Sequence, residues 1–351
     1  MVGLAFVSQN DCFAAIASGT SGTCKWVIKD DGQLVVSPVN GVKGELYNNI
    51  AGWTAIDGES HQGCSPWRQY AKSITSVLFK GTVVATSCYD MFYGCFNLKS
   101  IEWGEFKTDK VTDMACMFED CSSLVSLDLS SFDVSNVTNM ACMFKDCSSL
   151  KSLNLSGLNT SNVTIMARMF YYCESFVSLD LSSFNTSKVT NMKSMFHFCK
   201  SLTSLDVSKF NTKRVTDMEG MFCNCTSLSK LNLTNFVTTN AKIDNLFLYN
   251  SKLTTIISNA DTPSKLKDKT FSSLATLGTC KLTCPSASKS KYKKADGWKH
   301  LFATTTGIEE IESTSDDTQQ PSAVFSTNGT RLSAPRKGIN IIGGRKVVVR
   351  N

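Results

Sequence analysis

The stretch LVSLDLSSFDVSNVTNMACMFKDCSSL, residues 124–150, decides the fold, because the chain repeats it with a period of 26 residues. Its Met143-Phe144 pair recurs at Met91-Phe92, Met117-Phe118, Met169-Phe170, Met195-Phe196 and Met221-Phe222. Three residues after each Phe stands a cysteine: Cys95, Cys121, Cys147, Cys173, Cys199 and Cys225. An L-x-x-L-x-L run follows, as at Leu124-Leu127-Leu129 and Leu150-Leu153-Leu155. A fixed period in this range marks stacked supersecondary units. Stacks of that kind offer long regular surfaces, which more often bind than catalyse.

Within one unit, Met140, Met143, Phe144 and Cys147 lie at i, i+3, i+4 and i+7, which predicts two helical turns ended by Ser148-Ser149. Alternation at Leu153-Asn154-Leu155 predicts a short strand. Ser156-Gly157 turns the chain, Leu158 plugs the core and residues 159–162 form the return loop. The expected fold class is α/β: a right-handed, leucine-rich-repeat-like solenoid with a short helix and a short parallel strand in each 26-residue rung. A sixth rung, Leu246-Phe247 through Leu253, comes one residue early and has Asn250 in place of cysteine, as a fading terminal repeat does.

The flanks divide around this core. Residues 1–18 are weakly patterned, and 19–87 read as a β-rich N-terminal cap. In it, Trp26-Val27-Ile28 and Leu34-Val35-Val36 flank the hairpin signal Lys29-Asp30-Asp31-Gly32. The rungs occupy 88–257, and a terminal repeat with its cap occupies 258–303. Residues 304–323 are polar and acidic and predict a flexible linker, and 324–351 predict a small β module. At the start, Leu4-Ala5-Phe6-Val7 and Ala15-Ile16-Ala17 admit two readings, the remnant of an export signal or an ordinary mature start.

The composition is that of a folded chain, 42% apolar with a net charge of +6. The charge is segregated into a lysine-rich stretch from Lys265 to Lys299, an acidic one from Glu309 to Asp317 and a basic end. The rungs carry no basic stripe interleaved with aromatics, which argues against nucleic acid. No apolar run approaches a membrane span.

Fifteen cysteines need sorting. One at a fixed slot in every rung reads as a small buried hydrophobe, reduced and inert. Cys116 and Cys142 form a second, shorter ladder just before Met-Phe. The C-x-C spacing of Cys223 and Cys225, beside Cys199, is atypical of structural zinc and no histidine stands by to help, so no metal is expected. Disulfides Cys280–Cys284 and Cys12–Cys24 stay open at this level.

The repeat "LVSLDLSSFDVSNVTNMACMFKDCSSL" resembles the BspA-like leucine-rich repeat surface proteins, in the sub-type built on N-V-T-x-M-x-x-M-F-x-x-C-x-S-L; the likeness covers residues 89–257. The segment 17–37 with Pro66-Trp67 resembles that family's N-terminal segment, and 282–301 resembles its usual last repeat. The tail FSTNGTRLSAPRKGINIIGGRKVVVRN, 325–351, is similar to C-terminal sorting domains of Bacteroidetes proteins exported by the type IX route, on Gly329, Arg331, Leu332, Lys337-Gly338-Ile339 and Lys346-Val347. The resemblance implies an extracellular or cell-surface interaction protein, an adhesin whose partner is a host matrix or cell-surface protein. A self-assembling component of a surface layer is the alternative.

No enzyme motif appears among the three histidines, His61, His197 and His300, and no cofactor is expected. Two columns point outward. Glu102, Asp128, Asn154, Asp180, Asp206 and Asn232 form a polar ladder on the strand face. It reads either as a ligand or hard-cation face or as a solvated row set by the turn after each strand. Thr112, Thr138, Thr164, Thr190 and Thr216 form a hydroxyl ladder expected to cap the helices. Partner binding belongs where rungs differ, in the two positions after Met-Phe. There Tyr171, Tyr172, His197 and Phe198 gather four rings, either as core filling or as an anchor patch.

Overall fold

The computed structural model describes residues 14–47, 65–267, 270, 271, 274 and 280–302, and the backbone of four strands between 324 and 349. The expected linker, 304–323, and most of the expected export remnant lie outside the described residues.

The chain begins with a hairpin. β1 (Ala15–Ser21) pairs antiparallel with β2 (Cys24–Lys29), and β2 with β3 (Gln33–Pro38) across the turn at Gly32. β1 thus starts inside the stretch set apart as 1–18. β4 (Lys43–Leu46), β5 (Ser76–Phe79), β6 (Thr82–Ala85), β7 (Ser100–Glu102) and β8 (Glu105–Lys107) then run in two parallel ladders, β3-β5-β7 and β4-β6-β8. The cap therefore hands its sheet directly to the first rung. Trp67 is fully buried, donates to the Met91 carbonyl at 2.8 Å and lies on Phe92 with centroids 6.2 Å apart.

The rung strands are β9 (Ser126–Asp128), β10 (Ser152–Asn154), β11 (Ser204–Asp206), β12 (Lys230–Asn232), β13 (Thr255–Ile257) and β14 (Lys281–Thr283). They pair in parallel and in repeat register, Leu153 opposite Leu127 and Leu231 opposite Leu205. A second line of parallel bridges joins Asp113, Asn139, Ile165, Asn191, Asp217 and Lys242.

The helix expected in each rung is not there. Asp90, Phe92 and Gly94 donate their amides to the carbonyls of Ala115, Met117 and Glu119 in the next rung. The intervening Met91, Tyr93 and Cys95 close four-residue turns on Cys88, Asp90 and Phe92. Backbone groups that a helix would use internally are shared between rungs instead. The cause is a pair of left-handed residues four apart in every rung: Asp90 and Gly94, Cys116 and Asp120, Cys142 and Asp146, and so on to Asn245 and Tyr249. A positive φ at the second central position makes a type II turn and breaks a helix. The stripe Met140, Met143, Phe144 and Cys147 does face inward, all four fully buried, but on consecutive turns. The threonine ladder is corrected with it. Thr138, Thr164, Thr190 and Thr216 each send their hydroxyl to the threonine carbonyl one rung back, at 3.1–3.3 Å.

The interior is one aromatic stack. Phe118, Phe144, Phe170, Phe196 and Phe222 follow at centroid spacings of 5.5–5.8 Å with near-parallel planes. The stack continues through Phe247 and Phe271 and ends edge-on against the buried Trp298. Each ring contact adds on the order of 1 kcal/mol beyond area burial. The C-terminal cap carries α1 (Lys289–Lys294), whose Tyr292 hydroxyl meets the Ser258 hydroxyl at 2.7 Å. Cys24, Cys280 and Cys284 are free thiols. In the tail, β15 (Val324–Ser326), β16 (Arg331–Leu332), β17 (Gly338–Ile342) and β18 (Arg345–Val349) form an antiparallel sheet ordered β16-β15-β17-β18.

The strand ladder breaks between β7 and β9 and again at one rung. Among the described residues, no strand pairing covers 178–180, although Thr203 still donates to the Val177 carbonyl at 3.0 Å. In this rung Phe176 fills the slot that Leu124, Leu150, Leu202 and Leu228 fill elsewhere. Its ring stands edge-on to Phe170 at 6.2 Å. The bulkier ring adds volume to a slot built for leucine, and a close-packed interior passes added volume on to its neighbours.

Candidate functional site

The four rings singled out in the sequence do meet. Tyr172 stacks on Phe198 with centroids 4.1 Å apart, and His197 lies parallel to Phe198 at 4.7 Å. Tyr171 stands edge-on to His197 at 5.1 Å. All four are half-buried, so neither of the two positions after Met-Phe turns these rings fully inward. Lys200 sits over the Phe198 ring at 5.3 Å and bonds Glu174 at 2.7 Å. Burial, aided by the nearby Arg168 charge, holds the His197 imidazole below its ordinary pKa. Its Nδ1 is buried without a hydrogen-bond partner.

The backbone under the cluster matters as much as the rings. Tyr172 and Phe198 occupy the left-handed position that Gly94, Asp120, Asp146 and Asn224 hold in other rungs. Gly, Asp and Asn tolerate that conformation, whereas a bulky ring there is strained by about 1–3 kcal/mol. Tyr249 belongs to the same column, with a φ of 64°, and is 60% exposed. Sequence reading missed it because its rung starts one residue early; its place two after Leu246-Phe247 was the available signal.

The polar ladder is built differently. Asp128, Asn154, Asp180, Asp206 and Asn232 each accept the amide two residues on, at 2.8–3.2 Å, which makes the turn at each of these five positions. Hydrogen bonds from Ser130, Ser182 and Ser208 hold the Asp128, Asp180 and Asp206 carboxyls below the usual range. Asn154 also donates to Asp128 at 3.1 Å. Glu102 is exposed at the end of β7. A shallow depression on this face is lined by Leu179, Asp180, Leu181, Ser182, Asp206 and Lys209, beside the lapsed strand.

Residues 86–204 and 151–260 match the model of a family described as Mycoplasma protein of unknown function, DUF285. The match lies on the repeat region. Among solved structures, the chain is similar to a leucine-rich repeat protein from Eubacterium ventriosum, at 18% identity over 70% of this chain and 79% of that one, with a TM-score of 0.26. It is similar to a leucine rich cell surface protein from Faecalibacterium prausnitzii, at 14% identity over 79% and 98%, with a TM-score of 0.23. It is also similar to a chain of the Drosophila Toll–Spatzle complex, at 12% identity over 78% and 44%, with a TM-score of 0.26. No curated protein matches the chain. Among the described residues, no helix is long and apolar enough to cross a membrane.

Proposed function

We propose that this chain is a non-enzymatic, cell-surface or secreted protein-binding module: an adhesin that contacts a host matrix or cell-surface protein through Tyr171, Tyr172, His197 and Phe198. The observation that carries the reading is the placement of Tyr172 and Phe198 in left-handed positions that four other rungs give to Gly, Asp and Asn. Strain kept where small residues serve the fold points to a use outside the fold. Half-buried, mutually braced rings lose little freedom on binding and suit an interface anchor. The ladder from Glu102 through Asn232 adds charge specificity around that anchor, and many copies on one cell would strengthen a weak contact. The resemblance of residues 325–351 to export sorting domains supports a place outside the cell.

The test replaces Tyr172 and Phe198 with Asn together and assays the protein on immobilised extracellular matrix proteins and whole cells. Binding should fall while the thermal transition persists. A folded variant that binds like the parent would remove the patch from the interface. Asp128→Ala with Asp180→Ala, assayed in parallel, should alter partner preference more than total binding.

A further inference from the structure

We propose that Cys116, Glu119 and Cys142 form a binding site for a thiophilic divalent cation of the Zn2+ class, bridging two adjacent rungs. One ligand atom from each lies within 4.8 Å of the others. The fold makes this juxtaposition. Cys116 and Cys142 hold the same left-handed slot of consecutive rungs, so the stacking sets one thiol above the other. Their amides are tied to the carbonyls of Ala141 and Ala167, which fixes both slots at rung spacing. Glu119 follows three residues after Cys116 and turns back to it, which brings its carboxylate beside both thiols. Three ligand atoms thus already converge where a cation would sit.

The buried Cys ladder differs in kind. Cys121, Cys147, Cys173, Cys199 and Cys225 each spend their thiol on a carbonyl one rung back. Cys116 is 9% exposed and Cys142 half-buried, so an ion has a way in from the Cys142 side. Two thiolates and a carboxylate suit Zn2+, with water completing a tetrahedron.

The surrounding charge agrees. Glu119, Asp120 and Asp146 converge here with Lys145, Arg68 and Arg168 as the nearby cations. Lys145 bonds Glu119 and also reaches Asp146 at 3.6 Å, so it keeps a partner when a cation takes Glu119. Binding replaces the protons on the two thiols: Zn2+ bonds both sulfurs and one Glu119 oxygen, and two protons leave to solvent.

The full-length protein, reduced with a phosphine, would be titrated with Zn2+ against a chromophoric chelator and with Cd2+ for its ultraviolet thiolate-to-metal band. One ion per chain should bind, with proton release in weak buffer and a raised thermal transition. Cys142→Ala and Cys116→Ala should each abolish the band and the thermal shift. Glu119→Gln should weaken binding on the order of tenfold or more and keep the band. Cys121→Ala, checked for folding by its metal-free transition, should leave band and stoichiometry as in the parent. A band that survives Cys142→Ala, no stoichiometric binding by the reduced protein, or a Cys116–Cys142 disulfide whose reduction yields no metal-binding form would each overturn the site.

Discussion

The Cys147 thiol donates to the backbone carbonyl of Phe118, 3.1 Å away in the preceding rung. The same bond joins Cys121 to Phe92, Cys173 to Phe144, Cys199 to Phe170 and Cys225 to Phe196. A slot first read as a small hydrophobe is therefore also a cross-rung rivet. Burial pushes the Cys147 thiol far above its ordinary pKa, so it offers no thiolate at neutral pH. Alkylation of the native protein followed by peptide mass spectrometry should mark Cys142 and Cys284, both partly exposed, before Cys121, Cys147 or Cys173. Native labelling of those three at the rate of Cys142 would refute burial.

Asparagine at positions 172 and 198 relieves left-handed strain and deletes two stacked rings. The terms are of similar size, about 1–3 kcal/mol against about 1 kcal/mol for the stacking. Each single variant, Tyr172→Asn or Phe198→Asn, should keep stability within about 1 kcal/mol of the parent. Truncating a core ring costs about 3–5 kcal/mol. Urea denaturation distinguishes the two, and a loss in the larger range would make the rings core.

Gly157 lies against the neighbouring rung so closely that an added Cβ would sit 2.1 Å from the Ser130 carbonyl oxygen. Backbone is the obstacle, so no rotamer change relieves it. Gly157→Ala should destabilise by about 1–3 kcal/mol. An unchanged denaturation midpoint would mean that the rungs separate there easily.

Asp120 gives a pH signature. Its folded carboxyl titrates at about 6, against an ordinary value of 3.8, through burial first and the Asp146 and Glu119 charges next. A raised carboxyl stabilises the fold when protonated, and that advantage is lost as pH rises through about 6. Asp120→Asn should therefore raise the melting temperature at about pH 7 in chelated buffer and have little effect at about pH 4. An equal shift at both values would count against this charge crowding.

The repeat, its inward residues and the meeting of Tyr171, Tyr172, His197 and Phe198 were legible because period and slot alone specify which side chains stack. Helix against turn was not legible from the apolar stripe, since Met140, Met143, Phe144 and Cys147 face inward either way. The deciding signal was polar: Asp146 and its equivalents Gly94, Asp120 and Asn224 mark a left-handed residue two after each Phe. The role of Asp128 and Asp180 as turn acceptors follows from the serine two residues on. The grouping of Cys116 and Cys142 with Glu119 needed the structure, because a three-residue offset brings side chains together on turns in a way that period alone does not fix.

Strand pairing lapses at 178–180 and also between β7 and β9, which makes the molecule a spring with two soft coils. Tension along the stack passes through every rung interface in series, and the thinnest yields first. On the turn side the ties from Phe144 to Met169 and from Phe170 to Met195 stay intact at 2.9 Å. The strand side should therefore gape while the turn side serves as the pivot. Tyr171, Tyr172, His197 and Phe198 ride on that pivot, so a partner holding them would keep its grip while the body flexes under shear. In an optical trap, one of the two earliest yields should move to higher force in Phe176→Leu, which returns the slot to the residue of its neighbours; two unchanged early yields would mean that Phe176 does not soften its rung.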